Sequence, residues 1–172
     1  MWVDCSEKQV ISMNRIDDSL FHFAANEELI RAFVDAGVEF IVIGGLAVSW
    51  YCPYRQADDM DLLINNNPEN SVRVSQALHN LNLSGFNSDS FTKLGLQVPL
   101  KHTFYAELLT PQKSGPTYCD IASNAIDAKL FNIPVRLASV MSQIQLKELA
   151  AISAEEQRDK HLKDIERLKK LI

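Results

Sequence analysis

The chain reads as an α/β (α+β) domain, a mixed β-sheet flanked by helices with a helical tail at its C-terminal end. Three observations predict this. Phe40–Ile43 and Met60–Ile64 are short apolar runs of strand length, and Gly44-Gly45 with Leu46, Ala47 and Val48 between them ends the first strand and opens a helix. Over residues 91–123, short apolar runs are broken by Pro99, Pro111 and Ser114-Gly115-Pro116, the pattern of strands joined by loops. Beyond residue 139 the strand signals stop, and two apolar stripes at helical spacing take over.

The elements follow in order. Residues 1–25 carry Val10, Ile11, Ile16 and Leu20 at partly helical spacing, which predicts an N-terminal arm or helix ahead of an α/β core over 26–138. Asn26 is placed to cap a helix, with Glu27 and Glu28 in its first turn, Leu29, Ile30, Phe33 and Val34 on one face, and Gly37 as its stop. After the two strands, Pro68 suits the first turn of a helix running to about Leu81, with Val72, Val74, Ala77 and Leu78 as its apolar positions. Residues 82–89, rich in Asn, Ser and Gly, make a loop. In the tail, 139–172, Met141, Ile144, Leu149 and Ile152 mark one helix and Leu162, Ile165, Leu168 and Ile172 a second, both packing on the core.

Composition narrows the function classes. At 172 residues, 47% apolar and 23% charged, the chain has the size and make-up of one globular domain. It holds no apolar run near the ~20 residues that span a bilayer, and Asp4 and Glu7 precede any apolar stretch, unlike a signal peptide, so a cytoplasmic protein is expected. A net charge of −5 argues against a nonspecific grip on long nucleic acid, while allowing a local basic groove. Cys5, Cys52 and Cys119 are scattered, as are His22, His79, His102 and His161, and no spacing among them marks a zinc site or a disulfide framework.

The chemistry concentrates between residues 40 and 64. A Gly-Gly bend after a strand frees backbone N–H groups at the positive end of a helix, a place that suits phosphate, although turns use glycine for left-handed backbone in any case. Asp59 and Asp61 flank the start of the second strand, and alternation turns both to one face, with Asp58 on the other. Alone, such a pair is as ordinary as a solvated strand end. After a glycine bend, a short helix and Arg55, it becomes a site for a divalent cation. Asp120 is the lone acid in 117–123, read here as a strand; its charge calls for a cation or an open face. Lys147 lies three residues from Ile144 and so near the packed side of its helix, where a lysine must snorkel or meet an anion.

With those residues in place the chain resembles the nucleotidyltransferases of the DNA polymerase β-like superfamily, and particularly their small bacterial members, the minimal and AbiEii-like proteins. Gly44, Gly45, Ala47, Arg55, Asp59 and Asp61 fall on the central pattern; Glu69-Asn70, Arg73 and Ala77-Leu78 extend it, and Lys147, Arg158, Lys160, Asp164 and Leu168 match its C-terminal part. The likeness covers about 26–168 and is strongest at 40–64. Ala57 departs from the usual Thr, no glycine lies between Ala47 and Arg55, and His161 replaces an Asp.

The resemblance implies a nucleotidyltransferase-like sheet and transfer of a nucleoside monophosphate from an NTP to an acceptor hydroxyl, with release of pyrophosphate. It implies that Asp59 and Asp61 hold Mg²⁺ or Mn²⁺, that Asp120 joins them from a neighbouring strand as the third carboxylate, that the Gly44 and Gly45 amides hold phosphate, and that Arg55 and Lys147 offset its charge. The acceptor is open among a small molecule, a protein and an RNA end. Two other readings stand beside this one. One is a non-catalytic or antitoxin-like protein that binds a toxin-like partner. The other, a dinucleotide-binding fold, lacks its G-x-G-x-x-G turn here.

Overall fold

The computed structural model describes residues 25–100 and 103–172, so nearly all of the arm or helix expected over 1–25 lies outside the described residues. The chain enters through α1 (Asn26–Asp35), β1 (Phe40–Ile43), α2 (Gly44–Tyr51), β2 (Met60–Ile64) and α3 (Pro68–Asn80). A long connection leads to β3 (Gln97–Pro99) and β4 (Ala106–Leu109), then to the short α4 (Tyr118–Ser123) and the hairpin of β5 (Ile126–Leu130) and β6 (Ile133–Leu137). The tail is α5 (Val140–Ser153), a 3₁₀ turn (Glu155–Gln157) and α6 (Arg158–Lys169).

The six strands form one mixed sheet in the order β3-β4-β2-β1-β6-β5. β1 runs antiparallel to β2 and parallel to β6, and β2 runs parallel to β4, which brings Asp61 beside Glu107. Strand alternation sorts the side chains by face. Phe40, Val42, Met60, Leu62, Ile64, Ala106 and Leu108 enter the main core, where Leu29, Ile30 and Phe33 of α1 and Val74, Ala77 and Leu78 of α3 cover them. Each fully buried Leu, Ile or Phe there contributes about 1.5–3 kcal/mol. The opposite face carries Ile41, Ile43 and Leu63, covered by Ile121 and in part by Leu146, with Leu109 beside them. Asp61 and Glu107 project from this second face.

Polar clamps set the ends of these strands. The Asn67 side chain caps α3 by accepting from the Asn70 N–H at 2.7 Å, with Pro68 in the first turn as expected. Asn70, fully buried, accepts from the Glu39 N–H at 2.7 Å and donates to the carbonyls of Glu39 at 3.0 Å and Asn65 at 2.8 Å, tying the start of β1 to the end of β2.

Several sequence expectations need correction. Asn26 is the first residue of α1 rather than its cap, because its side-chain amide pairs with the backbone of Tyr105 instead, donating at 3.1 Å and accepting at 3.0 Å. Residues 117–123 are a capped helix and not a strand. The β5–β6 hairpin turns through Phe131 and Asn132, both in the left-handed region with φ of 53° and 61°. In the tail, Met141, Ile152, Leu162 and Ile172 are exposed; Ile144, Ile165 and Leu168 are the buried positions, packed with Val48 of α2. No described helix is long and apolar enough to cross a membrane.

Candidate functional site

The second face of the sheet is only partly covered, and a cleft of about 370 Å³ remains between it and the C-terminal helices. That is enough volume for a nucleotide-sized ligand. Gly44, Gly45, Arg55, Asp59, Asp61 and Lys147 all line it, so six of the seven residues singled out from the sequence meet in one place.

Gly44 is required twice over. Its φ of +72° lies in the left-handed region, and a Cβ there would collide with the Asp61 carboxylate, which faces it across the Ile43–Asp61 pair of β1 and β2. A Cβ on Gly45 would sit 3.0 Å from Nη2 of Arg55. The glycines thus make room for side chains as well as freeing backbone. No side chain caps α2, which leaves the positive end of that helix turned to the cleft.

Three acids line the same cleft. Asp59 lies just before β2, Asp61 on it, and Glu107 on β4 directly beside Asp61 in the parallel register, with Gln97 Nε2 donating to Glu107 Oε2 at 3.0 Å. Crowding by protein pushes the Asp61 pKa up to about 7, and the charges of Asp59 and Glu107 push the same way against Lys147 and Lys160. Asp61 keeps part of its surface open to the cleft, so water and ions reach it. Among the described residues no group of three or more His, Cys, Asp or Glu is drawn together tightly enough to hold a metal by itself. The donor set nevertheless suits Mg²⁺, which takes one or two carboxylates and completes its shell with phosphate and water.

Asp120 is not the third acid. It occupies the third position of α4, where its carboxylate accepts from the Thr117 N–H at 2.8 Å and the Thr117 hydroxyl at 2.6 Å, while its own N–H donates to Thr117 Oγ1 at 3.2 Å. This capping box holds its pKa below the ordinary carboxylate value, through the Thr117 bonds. It is exposed and lines a second groove, along with Ser142 and Gln145. The sequence signal was present in Thr117-x-x-Asp120 after Pro116. Glu107, the acid that sequence reasoning missed, sits alone in an uncharged run much as Asp120 does. Asp58, expected on the far face, instead lines the same cleft and pairs with Lys160 at 3.6 Å, because β2 begins only at Met60 and alternation does not yet apply.

The cationic side is organised by Asp164 of α6, which is completely buried. Arg55 grips it with Nε at 3.0 Å and Nη2 at 3.3 Å, Lys147 Nζ lies 3.0 Å away, and Arg167 Nη1 3.0 Å. Burial alone would raise the Asp164 pKa, but the bonds from Arg55 and Lys147 hold it below the ordinary carboxylate value. Lys147 therefore does not snorkel; it is 5% exposed and its protein anion is Asp164. Three cations around one carboxylate leave two positive charges in surplus, and Arg55 and Lys147 present theirs to the cleft. Lys160 and His161 of α6 line it too, and burial holds the His161 pKa down, with Lys147 adding to the effect.

Comparison with solved structures agrees with this architecture. The fold is similar to that in the "Crystal structure of an antigenic nucleotidyltransferase-like protein from Paracoccidioides brasiliensis", with a TM-score of 0.54 over 83% of this chain and 73% of that one, at 17% identity. No family model matches the chain, and no curated protein matches it. The fold is therefore nucleotidyltransferase-like: a six-stranded mixed sheet flanked by helices, with the helical tail on one side.

Proposed function

We propose that the protein is a metal-dependent nucleotidyltransferase that moves a nucleoside monophosphate from an NTP to an acceptor hydroxyl. One observation carries the reading. A single cleft is lined both by the acids Asp59, Asp61 and Glu107 and by Arg55 and Lys147 of a cationic cluster in which three cations share one buried carboxylate. An ordinary surface groove has no reason to concentrate both.

In this reading Asp59 and Asp61 would supply one or two carboxylates to Mg²⁺ or Mn²⁺, with phosphate and water completing its shell, and Glu107 rather than Asp120 is the acid beside them. Bound there, the ion would offset charge on the triphosphate and lower the pKa of the acceptor hydroxyl. The residues of the chain do the rest. Arg55 and Lys147, backed by the amino end of α2 at Gly44 and Gly45, hold the triphosphate and stabilise the charge that develops on departing pyrophosphate. The acceptor oxygen attacks the α-phosphorus, the bond to the bridging oxygen breaks, and pyrophosphate leaves with that electron pair. The acceptor proton passes to the Glu107 carboxylate, which Gln97 holds in place. The acceptor itself, whether a small molecule, a protein or an RNA end, is identified by the test.

A second reading has one observation in its favour. Arg55 and Lys147 are already paired with Asp164, as they would be in an idle relative that binds a partner such as a toxin-like protein. Incubation with each labelled triphosphate and Mg²⁺ or Mn²⁺ separates the two. Release of pyrophosphate, lost in Asp61→Asn while circular dichroism stays native, supports transfer; a folded protein that neither binds nor turns over any triphosphate supports the partner-binding reading.

A further inference from the structure

Gln143 is completely buried, and neither its Oε1 nor its Nε2 has a hydrogen-bond partner among the described residues. A side chain that offers two N–H donors and a carbonyl is rarely left wholly unpaired in a native interior, since burial strips away the water that would otherwise satisfy it. Its position is informative. It stands on α5 four residues before Lys147, hence on the same face one turn away, and both line the cleft. The cleft wall also holds Ile43, Leu63 and Leu109 from the second sheet face and Leu146 from α5.

We propose that Gln143 reads the hydrogen-bonding edge of the nucleotide's base and so determines which triphosphate the protein takes. The inference rests on the nucleotidyl-transfer reading and adds a substrate preference to it. The phosphates have their own partners one turn further along, at Lys147 and Arg55, which leaves the amide for another part of the nucleotide. A ribose offers only a small C–H face to the aliphatic wall, far less apolar area than a base. A nucleobase has both features, flat apolar faces and an edge where donor and acceptor stand side by side, and a carboxamide pairs with such an edge through two parallel bonds. His161 Nδ1 in the same cleft is also buried without a partner among the described residues, a second sign of a cleft built for a polar occupant.

The test measures Kd for ATP, GTP, CTP, UTP and inorganic tripolyphosphate, each with Mg²⁺, on the wild type, Gln143→Met and Gln143→Leu. The wild type is expected to favour one base by roughly ten-fold or more. Both variants should bind all four nucleotides within about two-fold of one another and bind tripolyphosphate as the wild type does, with Tm not lowered because two unpaired buried atoms are gone. Either a base preference that survives in both folded variants, or a wild type that binds tripolyphosphate and all four nucleotides alike, overturns the role of Gln143 and leaves the phosphate site standing. A wild type that binds neither nucleotide nor tripolyphosphate removes the transfer reading and this inference with it.

Discussion

Asp61, which lines the cleft, and Asp164, buried behind the Arg55 and Lys147 that line it, are the same residue type, and their acidities move in opposite directions. Burial is the first cause acting on each, and in each it raises the pKa. The neighbours decide the outcome. Asp61 meets Asp59 and Glu107 and is pushed up to about 7, whereas Asp164 meets Arg55, Lys147 and Arg167 and is held down. One carboxylate is thus short of positive charge and the other is saturated with it. The difference separates a position that a cation from solution would relieve from one that the protein has already satisfied, and it explains why the first is the better candidate for chemistry.

The largest expected effect comes from breaking the satisfied end. Asp164→Asn leaves the buried charges of Arg55 and Lys147 without their anion and should cost about 3–5 kcal/mol, read as a large fall in the urea midpoint. An unchanged midpoint would mean that solvent already screens the cluster. At the unsatisfied end, Asp61→Asn and Glu107→Gln should each lower Mg²⁺-dependent pyrophosphate release on the order of 100-fold with the fold kept; turnover within a few fold of wild type in Glu107→Gln would remove that residue from the site.

The pH dependence sharpens the contrast. The folded-state pKa of Asp61 lies above its unfolded value, so the fold binds a proton there more tightly, and its contribution to stability is present at low pH and lost as pH rises toward about 7. In metal-free protein, Asp61→Asn should therefore gain about 1–2 kcal/mol over the wild type at pH 8 and little at pH 4, measured as Tm. Asp164 behaves in the reverse sense: its stabilisation is present above the ordinary carboxylate pKa and disappears as pH falls through its lower folded value. A wild type and Asp61→Asn that stay parallel from pH 4 to 8 would show that cleft water solvates Asp61 as well as bulk water does. The smallest effect belongs to Asp120→Asn. With its carboxylate confined to the Thr117 capping box, pyrophosphate release should remain within about two-fold of wild type, and only the local stability of α4 should drop.

How much of this was legible beforehand differs residue by residue. β1, the glycine bend, α2 and β2 could be read because each is encoded within a few positions, by apolar runs and by glycine where the backbone turns left-handed at Gly44. The β5–β6 hairpin was not seen, because Phe131-Asn132 takes the left-handed turn that Asn-Gly would have announced. Asp120 differs from the sequence expectation for a related reason: 117–123 has the apolar content of a strand, and only the Thr117–Asp120 cap selects the helix. Asn26 looked like a cap until the strand-end backbone at Tyr105 claimed its amide.

The sequence by itself determined the mixed sheet with flanking helices and the glycine bend that ends β1, since these follow from local periodicity and backbone sterics. Tertiary structure alone decided that Asp61 stands beside Glu107 and against Gly44 across the strands, that Arg55, Lys147 and Arg167 converge on Asp164, and that Gln143, whose amide has no partner among the described residues, lies in the cleft wall. Those facts depend on strand order, parallel register and helix docking, which bring together residues far apart in the chain and leave no spacing signature along it.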